Sequence, residues 1–235
     1  MGTDALINHV AFIMDGNRRW ARQHNLPTVK GHQKGAENLT EIVKAAKKIG
    51  ICYVTVYAFS TENWQREPSE VDGLMNLLRQ YLNKGFKELQ ENGARIMFIG
   101  ERYMLADDIR QKMETIEKET VKNEDITLCV ALSYGSRQEI VQAARRLAEK
   151  VKSGEADISD INIESLTANL YTAGIPDPDL VIRTSGEKRV SNYLLWQTAY
   201  SEFYFSDTLW PDFSEEELKY ITDDYAKRER RYGKS

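Results

Sequence analysis

Cysteine and histidine are scarce in this chain: two and three among 235 residues. The histidines are scattered and no Cys/His spacing suits zinc, which argues against a zinc centre. Cys52 and Cys129 lie in apolar runs and are expected as two small buried thiols rather than a disulfide. No apolar run approaches the ~20 residues that span a bilayer. The amino-terminal segment lacks the basic, apolar and small-residue regions of a signal peptide, so a cytoplasmic location is expected. Basic charge is not in excess: 32 Lys and Arg stand against 36 Asp and Glu, net −4. No global positive field gathers nucleic acid, and any anion site must be built locally. The glycine signatures GxxxxGK[ST], GxGxxG and GxSxG are missing too.

What is present is the composition of a folded enzyme-sized chain, 41% hydrophobic and 29% charged. That length can bury one large core, and the expectation is a single domain over residues 1–235. Six runs rich in Val, Ile and aromatics read as strands, at 9–14, 51–59, 94–99, 126–134, 179–184 and 201–205. Consecutive apolar positions within them suit strands buried on both faces. Amphipathic helical stretches separate them. One runs to Gly50, one from an expected Ser69 N-cap to Gly93, and one follows Ser136. This alternation predicts an α/β fold, a central, mostly parallel sheet surrounded by helices. In such sheets ligands bind beyond the carboxyl ends of the strands, and the polar clusters DGNRRW, STENWQR and RTSGEKRVSN all fall there.

The first cluster has the parts of an anion site. Gly16 permits close backbone approach, Asn17 can cap a helix starting at Arg18, and Arg18 or Arg19 can hold phosphate oxygens. Asp15 would repel phosphate unless Mg²⁺ lay between them, since Mg²⁺ commonly takes one or two carboxylates plus phosphate oxygens. A lone Asp-Gly after a strand is more often only a turn. Arg183, Arg189 and Ser191 make a second phosphate cradle, set against an incidental charged loop. Ser60, Glu62, Asn63, Trp64 and Arg66 form a strand-to-helix loop of the kind that moves or carries function, although Trp64 could simply pack over it. Glu202, a carboxylate in the aromatic run SEFYF, is more often a paired surface acid than a metal ligand. The long helix after Ser69 carries a wide apolar stripe, which is usually core.

HVAFIMDGNRRWA, GHQKGAENL, YAFSTENWQR, DLVIRTSGEKRVSNYLLWQ and YSEFYFSDTLWPDF…RERRYG resemble, in order and spacing, the cis-prenyltransferase family. The resemblance runs from about His9 to Gly233. It implies an undecaprenyl diphosphate synthase-like fold and condensation of a short allylic diphosphate, typically farnesyl diphosphate, with successive isopentenyl diphosphates. It further implies Mg²⁺ as cofactor and a homodimer. On matching motif positions, Asp15 would bind the metal, with Glu202 as a further metal-associated carboxylate. Gly16, Asn17, Arg18, Arg19 and Trp20 would form the allylic diphosphate site, with His32 nearby. Arg183, Arg189 and Ser191 would hold isopentenyl diphosphate. Ser60, Glu62, Asn63, Trp64 and Arg66 match the substrate-positioning loop, and Arg231 the segment that reaches the partner subunit. The apolar helix would line a product tunnel. Asn17, Ser60 and Asn63 sit where proton transfer would occur, but none is basic alone, and a diphosphate oxygen is an equal candidate for proton acceptor. The chain departs from the family at Thr28, where relatives carry an arginine, with Lys30 the nearby cation.

A non-catalytic binding subunit of the same fold is the main alternative, opposed by the presence of Asp15, Arg183, Arg189, Ser191 and the Arg-Tyr-Gly ending. An α/β hydrolase or a nucleotide-binding protein lacks its glycine motif here. A trans-prenyltransferase lacks its DDxxD, which neither DDIRQ nor DDYAK supplies. Contact with the membrane is expected to be peripheral, at its inner face, for product release. No contact with nucleic acid is expected.

Overall fold

The structure, a computed structural model, describes residues 7–227. Six strands are described: β1 (His9–Ile13), β2 (Tyr53–Ser60), β3 (Ala94–Ile99), β4 (Ile126–Tyr134), β5 (Leu180–Arg183) and β6 (Glu202–Phe205). They form one sheet in the order β3-β4-β2-β1-β5-β6, with every neighbouring pair parallel. Side chains alternate across a strand, so a sheet covered on both faces must be apolar at successive positions. Val10 and Phe12 enter one core cluster while Ala11 and Ile13 enter the other. On β4, Leu128, Val130 and Leu132 face the first cluster and Cys129 and Ala131 the second.

The larger cluster lies under α2 (Thr28–Lys48), α3 (Pro68–Glu91), α4 (Asp107–Thr120) and α7 (Glu215–Ala226), each contributing one apolar stripe. A short helix, α1 (Asn17–Gln23), packs on α2. α5 (Ser136–Ser153) and α6 (Ile163–Thr167) pack together, and Tyr171, Ile175, Tyr193 and Leu194 close the second face of the sheet.

Three local expectations change. Helix α3 begins at Pro68 with Glu67 at the N-cap, not at Ser69, because proline supplies a preset φ at a position where its missing N–H costs nothing. Helix α1 begins at Asn17 itself with Gly16 in the cap position, so Asn17 does not cap it. Cys129 is buried, but Cys52 is exposed, and both are free thiols. Cys52 precedes β2, outside the part of the run that the sheet covers.

The chain runs from β1 to β2 on one side, then returns from β4 to place β5 on the other side of β1. Strand order therefore reverses at β1, and the crevice beyond the carboxyl ends of β1 and β5 is the expected ligand site.

Candidate active site

Asp15 leaves the end of β1 and is fixed from both sides. Its backbone N–H donates to Thr184 Oγ1 at 2.9 Å, and that hydroxyl donates to the Asp15 carbonyl at 2.7 Å. One carboxylate oxygen accepts from the Gly16 N–H at 2.8 Å and the other from Arg183 Nη2 at 2.7 Å. Arg183 ends β5, in register with Ile13. It is 4% exposed, and its second amino group donates to Ser191 Oγ at 2.8 Å and to the Arg189 carbonyl at 2.5 Å. The loop that carries Ser191 is held in left-handed backbone at Ser185, Gly186, Ser191, Asn192 and Leu194. Strain of this density persists where the surroundings over-determine a functional geometry.

Glycines bring α1 and α2 together over the crevice. Gly16 has φ 107°, and a Cβ there would lie 2.9 Å from Leu209 Cδ2. On α2, a Cβ at Gly31 would lie 2.0 Å from the Asn17 carbonyl, and one at Gly35 2.3 Å from Asn17 Oδ1. That close approach buries Asn17 Oδ1 without a hydrogen-bond partner, and His32 Nε2 and Arg183 Nε are orphaned in the same way. Buried polar atoms are normally paired, so a cluster of orphans at one crevice marks groups that await a ligand. Burial and the nearby Arg66 guanidinium lower His32 to about 4 against the pull of Glu70, so its imidazole is neutral at pH 7.

The loop after β2 forms the facing wall. Ser60 N–H donates to Asn63 Oδ1 at 3.1 Å, and Asn192 Nδ2 donates to Glu62 Oε1 at 3.0 Å, tying this loop to the strained one. Burial would raise Glu62, but hydrogen bonds from Asn192 and its own loop hold it below the ordinary carboxylate value. Sequence reading missed Ser133. The β2–β4 pairing skips it, since Phe59 pairs with Leu132 and Ser60 with Tyr134. Ser133 is therefore a fully buried bulge residue with φ 49°, and its hydroxyl accepts from Trp64 Nε1 at 2.8 Å. Nothing in the string ALSYGS announces a bulge; pairing between two distant strands creates it.

The crevice is a cleft of about 610 Å³. Ten of the sequence-predicted residues line it: Asp15, Asn17, His32, Ser60, Glu62, Asn63, Arg66, Arg183, Arg189 and Ser191. A rim recess of about 230 Å³ shares Asp15, Asn17, His32 and Arg66 and adds Gly16, Arg18, Arg19 and Arg22. Two arginine-bearing recesses thus flank one carboxylate. Behind them an apolar pocket of about 120 Å³ shares Met14, Phe59 and Leu74 with the cleft. It runs to Tyr81 of α3, whose hydroxyl lies 2.7 Å from Thr40 Oγ1 and whose ring meets Phe86 edge-on.

Three predicted residues are elsewhere. Trp20 donates to Asp212 Oδ1 at 2.7 Å and stacks on His24, outside the cleft, because its place on α1 turns it toward the Trp210–Asp212 turn. Trp64 packs edge-on against Phe59 and points its N–H at Ser133, so its indole anchors the loop from beneath instead of facing the cleft. Glu202 pairs with Leu180 at the amino end of β6, three rungs before Arg183 and roughly 10 Å along the ladder. One chain therefore does not bring Asp15 and Glu202 together. Lys30 donates to Gln33 in solvent and does not line the cleft in place of an arginine at Thr28. Arg231 lies outside the described residues. Among the described residues, no group of three or more His, Cys, Asp or Glu side chains is placed to hold a metal.

Comparison with known proteins agrees with this geometry. The family model described as "Putative undecaprenyl diphosphate synthase" matches residues 13–233. The isoprenyl transferase of Brucella suis is 50% identical over 225 residues, covering 96% of this chain and 89% of the relative. That of Clostridium perfringens is 44% identical over 230 residues, covering 98% and 91%. Among solved structures, lavandulyl diphosphate synthase from Lavandula x intermedia, in complex with dimethylallyl diphosphate, superposes with a TM-score of 0.93 at 36% identity, covering 97% of this chain and 99% of that one. A probable undecaprenyl diphosphate synthase from Campylobacter jejuni superposes at 0.81 with 34% identity over the same shares. With two arginine-lined recesses about one aspartate and an apolar pocket behind them, the chain belongs to the undecaprenyl diphosphate synthase family of prenyltransferases.

Proposed function

We propose that the chain condenses a short allylic diphosphate, farnesyl diphosphate, with successive isopentenyl diphosphates to give a long Z-polyprenyl diphosphate. The product would be undecaprenyl diphosphate, the carrier-lipid precursor for cell-wall synthesis. The observation that carries this reading is the arrangement of two arginine-lined recesses on either side of Asp15, with an apolar pocket opening behind them. Two diphosphate heads and one hydrocarbon tail need that set of surfaces.

Arg18, Arg19 and the first turn of α1 hold the allylic diphosphate, and Arg183, Arg189 and Ser191 hold the isopentenyl diphosphate. Their fixed forks place the two reacting carbons in one cleft, where proximity replaces a bimolecular encounter. His32, kept neutral by burial, offers a hydrogen bond without adding a full charge. Asn17 and Ser60 border the point where the proton leaves, and a diphosphate oxygen is an equal acceptor for it.

The donor set fits Mg²⁺ carried in with substrate. Asp15 is one third exposed at the junction of both recesses, and its two hydrogen bonds leave lone pairs for a cation. One carboxylate plus phosphate oxygens and water is ordinary Mg²⁺ coordination. When bound, the ion supplies neutralisation of the departing diphosphate. The chain acts as a single-domain homodimer, with peripheral contact at the inner face of the membrane. No helix among the described residues is long and apolar enough to cross it.

The test is incubation with Mg²⁺, farnesyl diphosphate and radiolabelled isopentenyl diphosphate, followed by chromatography of the products. An EDTA-sensitive ladder ending near eleven isoprene units is expected. Incorporation with a geranyl starter only would move the starter assignment. None with either, from folded protein, would overturn the reading.

A further inference from the structure

Between residues 16 and 36 the chain carries Arg18, Arg19, Arg22, Lys30 and Lys34 and no Asp or Glu, in a protein of net charge −4. This stretch turns from α1 into α2 through Leu26, Pro27 and Val29, all exposed; Leu26 is 43% and Val29 44% accessible. Nearby acids, one of them on α2 itself, answer only part of the charge. Glu70 pairs with Arg66 and Arg18, Glu187 with Arg19, and Glu37 with Lys34. The turn therefore presents aliphatic side chains at its apex with cations around them.

Beneath Val29, between the starts of α2 and α3, lies a recess of about 220 Å³. It shares His32 and Leu74 with both the cleft and the apolar pocket. Its wall at Gly73 is open, since a Cβ there would meet nothing within 4 Å. The recess and the apolar pocket thus share His32 and Leu74 as a common wall, and Thr28 and Val29 of the basic, aliphatic turn face Ser69 and Glu70 across the recess.

We propose that this turn docks on an anionic lipid bilayer, and that the recess between α2 and α3 is a lateral portal joining the apolar pocket to the membrane. What passes through the portal rests on the isoprenoid reading above; the docking rests on the surface alone. Cations attract an anionic leaflet, and Leu26 and Val29 enter its headgroup boundary. A nucleic acid would satisfy the cations and leave both aliphatic side chains in water, which favours the bilayer.

Flotation of the full chain with vesicles containing about 30% phosphatidylglycerol tests the docking, with pure phosphatidylcholine vesicles as comparison. The chain should float with the anionic vesicles, about tenfold less with neutral ones, and less as salt rises. Leu26→Asp combined with Val29→Asp should reduce flotation by about tenfold or more and keep the wild-type rate on short, soluble substrates. Leu26→Trp should shift its emission to the blue when anionic vesicles are added. Undiminished flotation of the double variant, unchanged Leu26→Trp emission, or tighter retention on duplex DNA than on vesicles overturns the proposal. Leu26-dependent flotation without prenyl transfer keeps the docking and removes the isoprenoid reading; transfer without flotation does the reverse.

Discussion

On the face of the sheet covered by α5, Glu139 is 1% exposed and both its oxygens are occupied. Tyr134 and Gln197 donate to one of them, at 2.5 and 3.1 Å, and the Tyr171 N–H to the other at 2.8 Å. At the ends of β1 and β5, Asn17 Oδ1, His32 Nε2 and Arg183 Nε are as buried and have no partner. Both regions pay desolvation for polar groups. The Glu139 carboxylate recovers it within the chain, tying α5 to the segment after α6, although Gln197 Oε1 and Tyr193 Oη stay unpaired on that face, whereas the three atoms at the strand ends line a cleft that a ligand can enter. The first is architecture and the second is chemistry, although their residue types are much the same.

The largest effect that can break this comparison comes from the cleft. Asp15→Asn, which keeps an oxygen to accept from the buried Arg183 guanidinium, should leave the melting temperature near wild type and lower turnover by about a thousandfold, read by isopentenyl incorporation. A folded variant with full turnover would remove Asp15 from the chemistry. On the opposite face, Glu139→Ala should do the reverse. It strands three donors and should cost about 3 kcal/mol, lowering the melting point by roughly 6–12 °C while turnover per folded molecule holds.

Two buried histidines sharpen the contrast through pH. His9 is lowered to about 4 by burial, despite its bond to the Pro176 carbonyl at 2.6 Å and the nearby Asp179 charge, and His32 is lowered to about 4 as well. Between pH 6.5 and about 4 the unfolded imidazoles bind protons that the folded ones refuse, so stability falls as pH falls through that window. The expected loss is on the order of 2 kcal/mol per imidazole at pH 5, measured by urea midpoints. Inorganic pyrophosphate should raise the titration point of His32, which borders the anion recess, and leave that of His9 unmoved. Ring-proton NMR would show it, and equal shifts at both would blur the distinction. The smallest effect belongs to the loop anchor. Ser133→Ala and Trp64→Phe delete the same hydrogen bond, so each should raise KM about fivefold with kcat nearly kept, and the double variant should be no worse than either. Additive losses would show that the two residues act separately.

Much of this was legible beforehand, for physical reasons. Strands buried on both faces need consecutive apolar residues, so HVAFI, ITLCVALSY and LVIR declared themselves. The rule that ligands gather at strand carboxyl ends then placed DGNRRW beside RTSGEKR. Three site residues misled. A tryptophan has the same letter whether it faces a cleft or props a loop, so Trp20 and Trp64 could be located only by Asp212 and Ser133. Glu202 is set beside the metal only by the family resemblance, its residue type reading as a paired surface acid, and the β5–β6 register puts it at the end of the ladder away from Arg183.

The sequence by itself determined the layered α/β architecture, the positions of its polar clusters and the family, because hydrophobic periodicity and motif order are local properties of the string. Only the tertiary structure decided that Asp15 meets Arg183 across 168 positions, that Ser133 is squeezed out of register beneath Trp64, and that the gap between α2 and α3 opens beside Thr28 and Val29. Those depend on strand order, register and helix approach, which arise when distant segments pack and have no counterpart in any single stretch of residues.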